Sequence, residues 1–440
     1  MKTIDALCQP QPGHGLQAMM LRWEQLHPVN AVHVAWLKNS YRPAEVHAAI
    51  SRVVCRLLEA DSNVPSDWAA DGDEFFEFRQ ATVFGDWRGE LQSAVTNELN
   101  APYAIGKTPF RFSVFDAPQQ GLCLMLGYRH VVADGRSIAL LMHEVVHELI
   151  SPSAEAPAFS ARLGGKSLRQ LFPSEYGWRQ MPGAAWNSAL SLWKSLWCKQ
   201  LRPRDPGDLR MEFRIHQTSL PVAVLKSRSR QMGVTVNDLV LASLFEWFAR
   251  EFPADGSRRN NLGVASLVDV NSRAPVPQPR AFGQYLSPFA VRVRPTSEMP
   301  FAEIVGLVAR QTRSCKAARP LITTARSFEF LCREWDAVPL VRRPGHLPFW
   351  LPLLAGVSNV NLSRIVGVER AARAVQNYCR GMCCTNLLPM MLGVTTVRDT
   401  CSLTTTHRPA LFTAGQMDDL AAHIGWRLAG ADLDRSTAAA

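Results

Sequence analysis

Along this chain the spacing of apolar residues switches between two periods, and each switch marks an element. Residues 31–37 are almost wholly apolar and predict a strand, and Pro43 then opens a pattern in which Val46, Ile50, Val53, Val54 and Leu57 share one helical face. A second helix is predicted over 86–99. Residues 109–116 alternate as a half-buried strand does, and the short apolar run 122–128 can pair with them through a turn at 118–121. Beyond it Ile138, Leu141, Met142, Val145, Val146 and Leu149 recur at helical spacing, which predicts a helix over 135–150. These pieces compose one α/β lobe.

From 151 to about 207 the periodicity weakens and Pro, Ser, Gly and Arg accumulate around a Trp-rich helical stretch at 186–197, which reads as a linker with a crossing helix. A second lobe begins near Arg210. It is predicted to hold helices over 220–232, 239–252, 301–319, 324–335 and 416–428, the second of them capped by Thr235, Asn237 or Asp238. Its predicted strands are 262–270, 286–293, 357–362, 377–385, 392–398 and 402–406. The expected organisation is an N-terminal lobe over 1–175, a linker over 176–209 and a C-terminal lobe over 210–440.

Composition narrows the classes. A chain of 440 residues is long for a single core, and 47% hydrophobic with 20% charged residues is globular rather than disordered. The net charge of +10 favours anionic partners, which include nucleic acid, anionic lipid, coenzyme phosphates and acidic proteins. Because the arginines are scattered and no zinc-finger or RNP-like signature occurs, nucleic acid is not expected. The ten cysteines form no C-x-x-C pair, as expected of reduced thiols in a cytoplasmic protein. No secretory h-region is visible. The longest apolar stretch, 347–357, is short and carries Pro348 and Pro352, so no transmembrane segment is expected; it suits a buried loop, a channel lining or a membrane-surface contact.

Two stretches carry chemistry. In the first, Gly127-Tyr128-Arg129-His130-Val131-Val132-Ala133-Asp134-Gly135 joins the strand at 122–128 to the helix at 135–150. Asp134 fits an N-cap, Gly135 lets a ligand approach backbone closely, and His130 sits beside a helix start whose amides favour negative charge. A proton acceptor and an oxyanion site can share that one turn; a core histidine beside an ordinary cap uses the same residues. The second stretch, His143-Glu144-Val145-Val146-His147, matches the H-E-x-x-H pattern of zinc peptidases. A catalytic zinc needs a third protein ligand, for which only the distant Glu175 offers itself. The alternative is that His143, Glu144 and His147 form the wetter face of an amphipathic helix.

With His130-x-x-x-Asp134-Gly135 in the first of two α/β halves, the sequence resembles the chloramphenicol acetyltransferase-like acyltransferases. That superfamily includes nonribosomal peptide condensation domains, wax ester synthases and polyketide-associated acyltransferases. Further along, Val234-Thr235-Val236-Asn237-Asp238 resembles the T-x-N-D helix start, and Leu267-Val268-Asp269-Val270-Asn271-Ser272-Arg273 the strand ending in arginine. Phe282-Gly283-Gln284-Tyr285 is similar to the G-N-like segment and Val357-Ser358-Asn359-Val360 to the late S-N-V strand. The resemblance implies an α/β fold of two similar lobes, each a mixed β-sheet with flanking helices, and an active-site tunnel at their interface. It implies that His130 is a general base moving an acyl group from a thioester, on coenzyme A or on the phosphopantetheine arm of an acyl or peptidyl carrier protein. The acceptor would be a small amine or alcohol, and the setting specialised metabolism, with no metal and no permanently bound cofactor. Gly135 would lie at the oxyanion, Asp134 would be structural and pair with Arg273, and Ser358 and Asn359 would line the tunnel. Condensation domains usually carry two adjacent histidines, and Arg129 stands in the first place here. It would buttress the loop through an ion pair, line the tunnel of a divergent enzyme, or mark a member that binds carrier proteins without turnover.

Overall fold

The computed structural model describes residues 15–59, 72–82, 86–104, 108–117, 121–152, 159, 168–174, 181–255, 257–275, 277–278, 280–296, 298–316, 318–365 and 373–430. The turn expected at 118–121 falls largely outside them, as does Glu175.

The N-terminal half runs α1 (Gly15–Trp23), β1 (Asn30–Leu37), α2 (Pro43–Glu59), β2 (Phe76–Thr82), α3 (Trp87–Asn100), β3 (Phe110–Ala117), β4 (Gly121–Arg129) and α4 (Gly135–Ile150). After α5 (Met181–Ser195) come β5 (Glu212–Pro221), α6 (Val222–Gln231), α7 (Val236–Glu251), β6 (Leu262–Asp269), β7 (Leu286–Val293), α8 (Phe301–Cys315), α9 (Ala318–Ala337) and α10 (Arg343–Trp350). The chain closes with β8 (Ala355–Asn361), β9 (Val375–Met382), β10 (Met390–Val397), β11 (Thr400–His407) and α11 (Ala414–Ala429).

These strands build two mixed sheets, of order β2-β3-β4-β1-β9 and β5-β11-β10-β8-β6-β7. Helices flank both, so the two-lobed α/β architecture expected from the sequence is the observed one. The strands at β1 and β4 are buried on both faces and therefore read as continuous apolar runs, with Val32, Val34, Leu124 and Leu126 fully inaccessible. Several helix starts are fixed locally. Asp86 accepts from the Gly89 amide at α3, and Thr235 and Asp238 form a reciprocal capping box at α7.

Strand β9 departs from its place in the sequence. Read as one of the strands of the C-terminal half, it pairs antiparallel with β1 and completes the N-terminal sheet, with Arg380 opposite His33. Its outer edge is received by hydroxyls of β11: Ser402 donates to the Tyr378 carbonyl and Thr404 to the Arg380 carbonyl, both at 2.8 Å. Residues 402, 404 and 406 share one face of β11 because side chains alternate along a strand. The result is a polar seam in which the β9 edge of the first sheet rests on a side-chain face of the second, and it caps an otherwise open row of backbone groups.

Among the elements named above, α1, β2, β5 and α10 escaped the apolar pattern. Both strands are sheet edges, where alternating charged residues such as Glu77 and Arg79 dilute the apolar signal. The stretch 347–357 is the end of α10, a short connection at 351–354 whose Leu351 and Leu353 line the main cavity, and the start of β8. Among the described residues no single helix is long and apolar enough to cross a membrane.

Candidate active site

The site begins where β4 ends. The His130 amide donates to the Val29 carbonyl at 2.8 Å, and Gln284 Nε2 donates to the His130 carbonyl at 2.7 Å, so the residue's backbone is clamped from both halves of the chain. Its Nδ1 lies 3.0 Å from the Ala133 carbonyl oxygen. A carbonyl can only accept, so Nδ1 carries the proton and Nε2 keeps its lone pair. The ring is 7% exposed and lines a cavity of about 880 Å³. Burial pushes its pKa below the ordinary imidazole value, against the pull of the Ala133 carbonyl and the Asp134 charge; the Arg380 guanidinium also lowers it. His130 is thus neutral and unprotonated at Nε2 near pH 7.

Asp134 caps α4 as expected, with Oδ1 accepting from the Ser137 amide at 2.8 Å. Its other oxygen accepts from the Tyr285 amide at 2.9 Å. Ser137 Oγ donates to the Gly283 carbonyl, whose residue amide donates back to Ser137 Oγ. The segment Phe282 to Tyr285 is therefore bonded directly onto the start of α4. Full burial raises the carboxyl pKa of Asp134, and the two amides oppose that rise.

Three expectations are corrected here. Arg273 does not pair with Asp134: it lies exposed in the turn after β6, and the Tyr285 amide occupies the position an arginine would need. The arginine beside this turn is Arg136, 3.5 Å from Asp269, a carboxyl that burial and the nearby Asp134 charge raise to about 6. Arg129 does not line the cavity. Alternation along β4 turns Tyr128 toward the cavity and Arg129 away from it, where its Nη2 meets Glu24 at 2.5 Å and its Nε meets the same carboxylate at 3.2 Å. The helical face bearing Glu144 is not wet. Glu144 is 4% exposed and paired with Arg280 at 3.0 Å, and Glu148 is 2% exposed between Arg52 and Arg56.

His143 and His147 have ring centroids 6.4 Å apart, and His143 lines a second cavity of about 390 Å³, not the one at His130. Among the described residues no group of three side chains is placed to hold a metal ion. Ser358 and Asn359 line the main cavity.

Two residues that the sequence reading passed over complete the site. His33, on β1, has Nδ1 2.7 Å from the Tyr378 hydroxyl, and its ring stands edge-on to Tyr128. Arg380, on β9, is fully enclosed beside it. Its Nε donates to Thr395 Oγ1, Nη1 to Ser358 Oγ, and Nη2 to the carbonyls of Ser358 and Val394, at 2.9 to 3.1 Å. A lone arginine inside Tyr-Cys-Arg-Gly-Met-Cys-Cys was the available signal, since charged residues are almost never fully buried without a purpose.

Solved structures of known proteins share this architecture. The condensation domain of the monacolin K polyketide synthase MokA superposes with a TM-score of 0.61 over 94% of this chain and 95% of that one, at 13% identity. The first condensation domain of the calcium-dependent antibiotic synthetase, in complex with a substrate analogue, gives 0.64 over 96% and 94%, at 15% identity. The EpoB cyclization-docking bidomain from Sorangium cellulosum gives 0.66 over 93% and 82%, at 12% identity. This chain has the condensation-domain fold. No family model matches it, and no curated protein matches it by sequence. The same fold is shared by an epimerization domain of tyrocidine synthetase and by the X-domain of teicoplanin biosynthesis, so the reaction must be argued from the site.

Proposed function

We propose that this condensation-fold protein is an acyltransferase that forms an amide or ester from a thioester donor, with His130 as its general base. The observation that carries the reading is the Nδ1 contact to the Ala133 carbonyl, which leaves a neutral Nε2 at the wall of a cavity lined by both sheets. Tyr128 reaches that cavity from the first sheet and Ser358 from the second. A donor thioester and an acceptor amine or alcohol meet at His130. Nε2 takes the acceptor's proton as its lone pair attacks the carbonyl carbon; when the tetrahedral adduct collapses, the C–S bond breaks and the thiolate takes that proton.

The donor is carried on coenzyme A or on the phosphopantetheine of a carrier protein. The net charge of +10 suits either the coenzyme's phosphates or an acidic carrier. A cytoplasmic place in specialised metabolism belongs to this reading. Arg129, the one feature that suggested a member without turnover, has a structural partner in Glu24 and no bearing on Nε2.

The test is intact-mass detection of acyl transfer from loaded carrier proteins and from acyl-coenzyme A to a panel of amines and alcohols. The wild-type protein is expected to yield product, and His130→Ala to lose it by about 10²–10⁴-fold while remaining folded. Full turnover by folded His130→Ala would defeat the proposal.

A further inference from the structure

Arg380 is a guanidinium enclosed in protein, at the reaction cavity, with no carboxylate beside it among the described residues. Burying such a charge without a counter-ion is costly, and structures tolerate it where the charge is used. The groups held near it are Tyr128, Tyr378, His33 and cysteines, none of which is an anion at neutral pH. Each of those thiols and phenols is itself pushed up by burial.

The bonding of the guanidinium is asymmetric. It has five N–H groups, and four are taken: Nε by Thr395, one on Nη1 by Ser358 Oγ, and both on Nη2 by carbonyls. The fifth, on Nη1, has no acceptor among the described residues. Nη1 is also the atom nearest to where a side chain on Gly135 would stand, 3.2 Å from an ideal Cβ, with His33 Nε2 at 3.6 Å from the same point. The open N–H therefore adjoins the small volume over the first residue of α4, beside the His130 turn, and Gly135 and Arg380 both line the cavity there.

We propose that Arg380 is a catalytic residue that holds the oxyanion of the tetrahedral adduct through its free Nη1–H, over Gly135. One open N–H fits one oxygen. A carboxylate gripped side-on would need two, and here the second terminal nitrogen is fully occupied. The four anchoring bonds hold the charge rigid before reaction, which is what lets a donor stabilise charge that develops only in the transition state. As the acceptor attacks, its proton goes to His130 Nε2 and the carbonyl π electrons go to oxygen. The new imidazolium and the oxyanion appear together, so the cation that disfavours a protonated His130 in the resting site is offset by the anion at that moment.

The inference rests on the acyl-transfer reading above, and the two fail differently. In the same assay, Arg380→Gln and Arg380→Met are expected to lower kcat by about 10²–10³-fold with KM within threefold, and Arg380→Lys to keep part of the rate. The acid limb of the pH profile moves to higher pH in Arg380→Gln, because the charge that lowers His130 is gone, and stays in place in Arg380→Lys. A purely structural role would move neither the pH limb nor the split between kcat and KM. Gly135→Ala places a methyl against Nη1 without touching the anchors. It is expected to lower kcat more than tenfold at unchanged melting temperature, and it decides the matter if the Arg380 variants do not fold. Unchanged kcat in folded Arg380→Gln, or in Gly135→Ala when the former does not fold, overturns the assignment while leaving His130 intact. A loss confined to KM for carboxylate-bearing acceptors overturns it in favour of substrate recognition. No transfer by wild type, or full transfer by His130→Ala, overturns both readings.

Discussion

At the scale of single residues, the site separates groups that react from groups that hold. His130 is tautomerically fixed by one carbonyl and depressed in pKa by its enclosure. Transfer should therefore persist below pH 6.5, the ordinary imidazole value, and fail only as pH falls through the lower value of the folded protein; an initial-rate profile checks this. Arg129 belongs to the other class. Arg129→Ala removes a half-enclosed bond to Glu24 and is expected to cost about 1–3 kcal/mol in urea unfolding while leaving the transfer rate within threefold. His130 and Asp134 were legible in the sequence because they are close together, four positions apart, across a strand-to-helix turn. His33 and Arg380 were not, because nothing local says that β1 and β9 are neighbours.

At the scale of elements, the start of α4 is the joint on which the site turns. Asp134 spends one oxygen on its own helix and the other on the Tyr285 amide, so it caps α4 and ties the second half of the chain to the first. Asp134→Ala should lose the cap, about 1–2 kcal/mol, and leave the buried Tyr285 amide without an acceptor, about 1–3 kcal/mol more. Differential scanning calorimetry reads the sum as a lower melting temperature, and Asp134→Asn, with one acceptor oxygen, should fall between. The resemblance led to the right residue and the wrong partner. A side-chain cation was expected, and a backbone amide from the adjoining segment took its place.

At the scale of the whole molecule, five buried histidines are held neutral: His27, His33, His130, His216 and His407. Desolvation dominates each, and His27 and His216 are lowered to about 4. The unfolded chain takes up protons first, near pH 6.5, so its stability relative to the native state rises on acidification. The histidine contribution to the unfolding free energy is therefore expected to be full above pH 6.5 and to drop progressively between 6.5 and about 4, offset in part below about 6 by Asp269, which takes up its proton in the folded state; urea melts at pH 7.5, 6 and 5 check the fall. A flat profile in an Asp269→Asn background would mean that these rings gain protons in the folded state. The seam of β9 with β11 belongs to this scale as well, since it places a strand from residue 375 onward inside the sheet that carries His130.

What the sequence determined by itself was local: periods of apolar residues, the cap at Asp134, a cap of α7 at Thr235 or its near neighbours, and a histidine set beside a helix start. Those features depend on neighbours a few residues apart, so the order of residues is enough to read them. Only the tertiary structure decided that β9 crosses into the first sheet, that the Tyr285 amide and not Arg273 meets Asp134, and that Arg380 stands unpaired over Gly135. Each of these is a contact between residues more than a hundred positions apart, and such contacts are chosen by the packing of whole sheets rather than by any pattern along the chain.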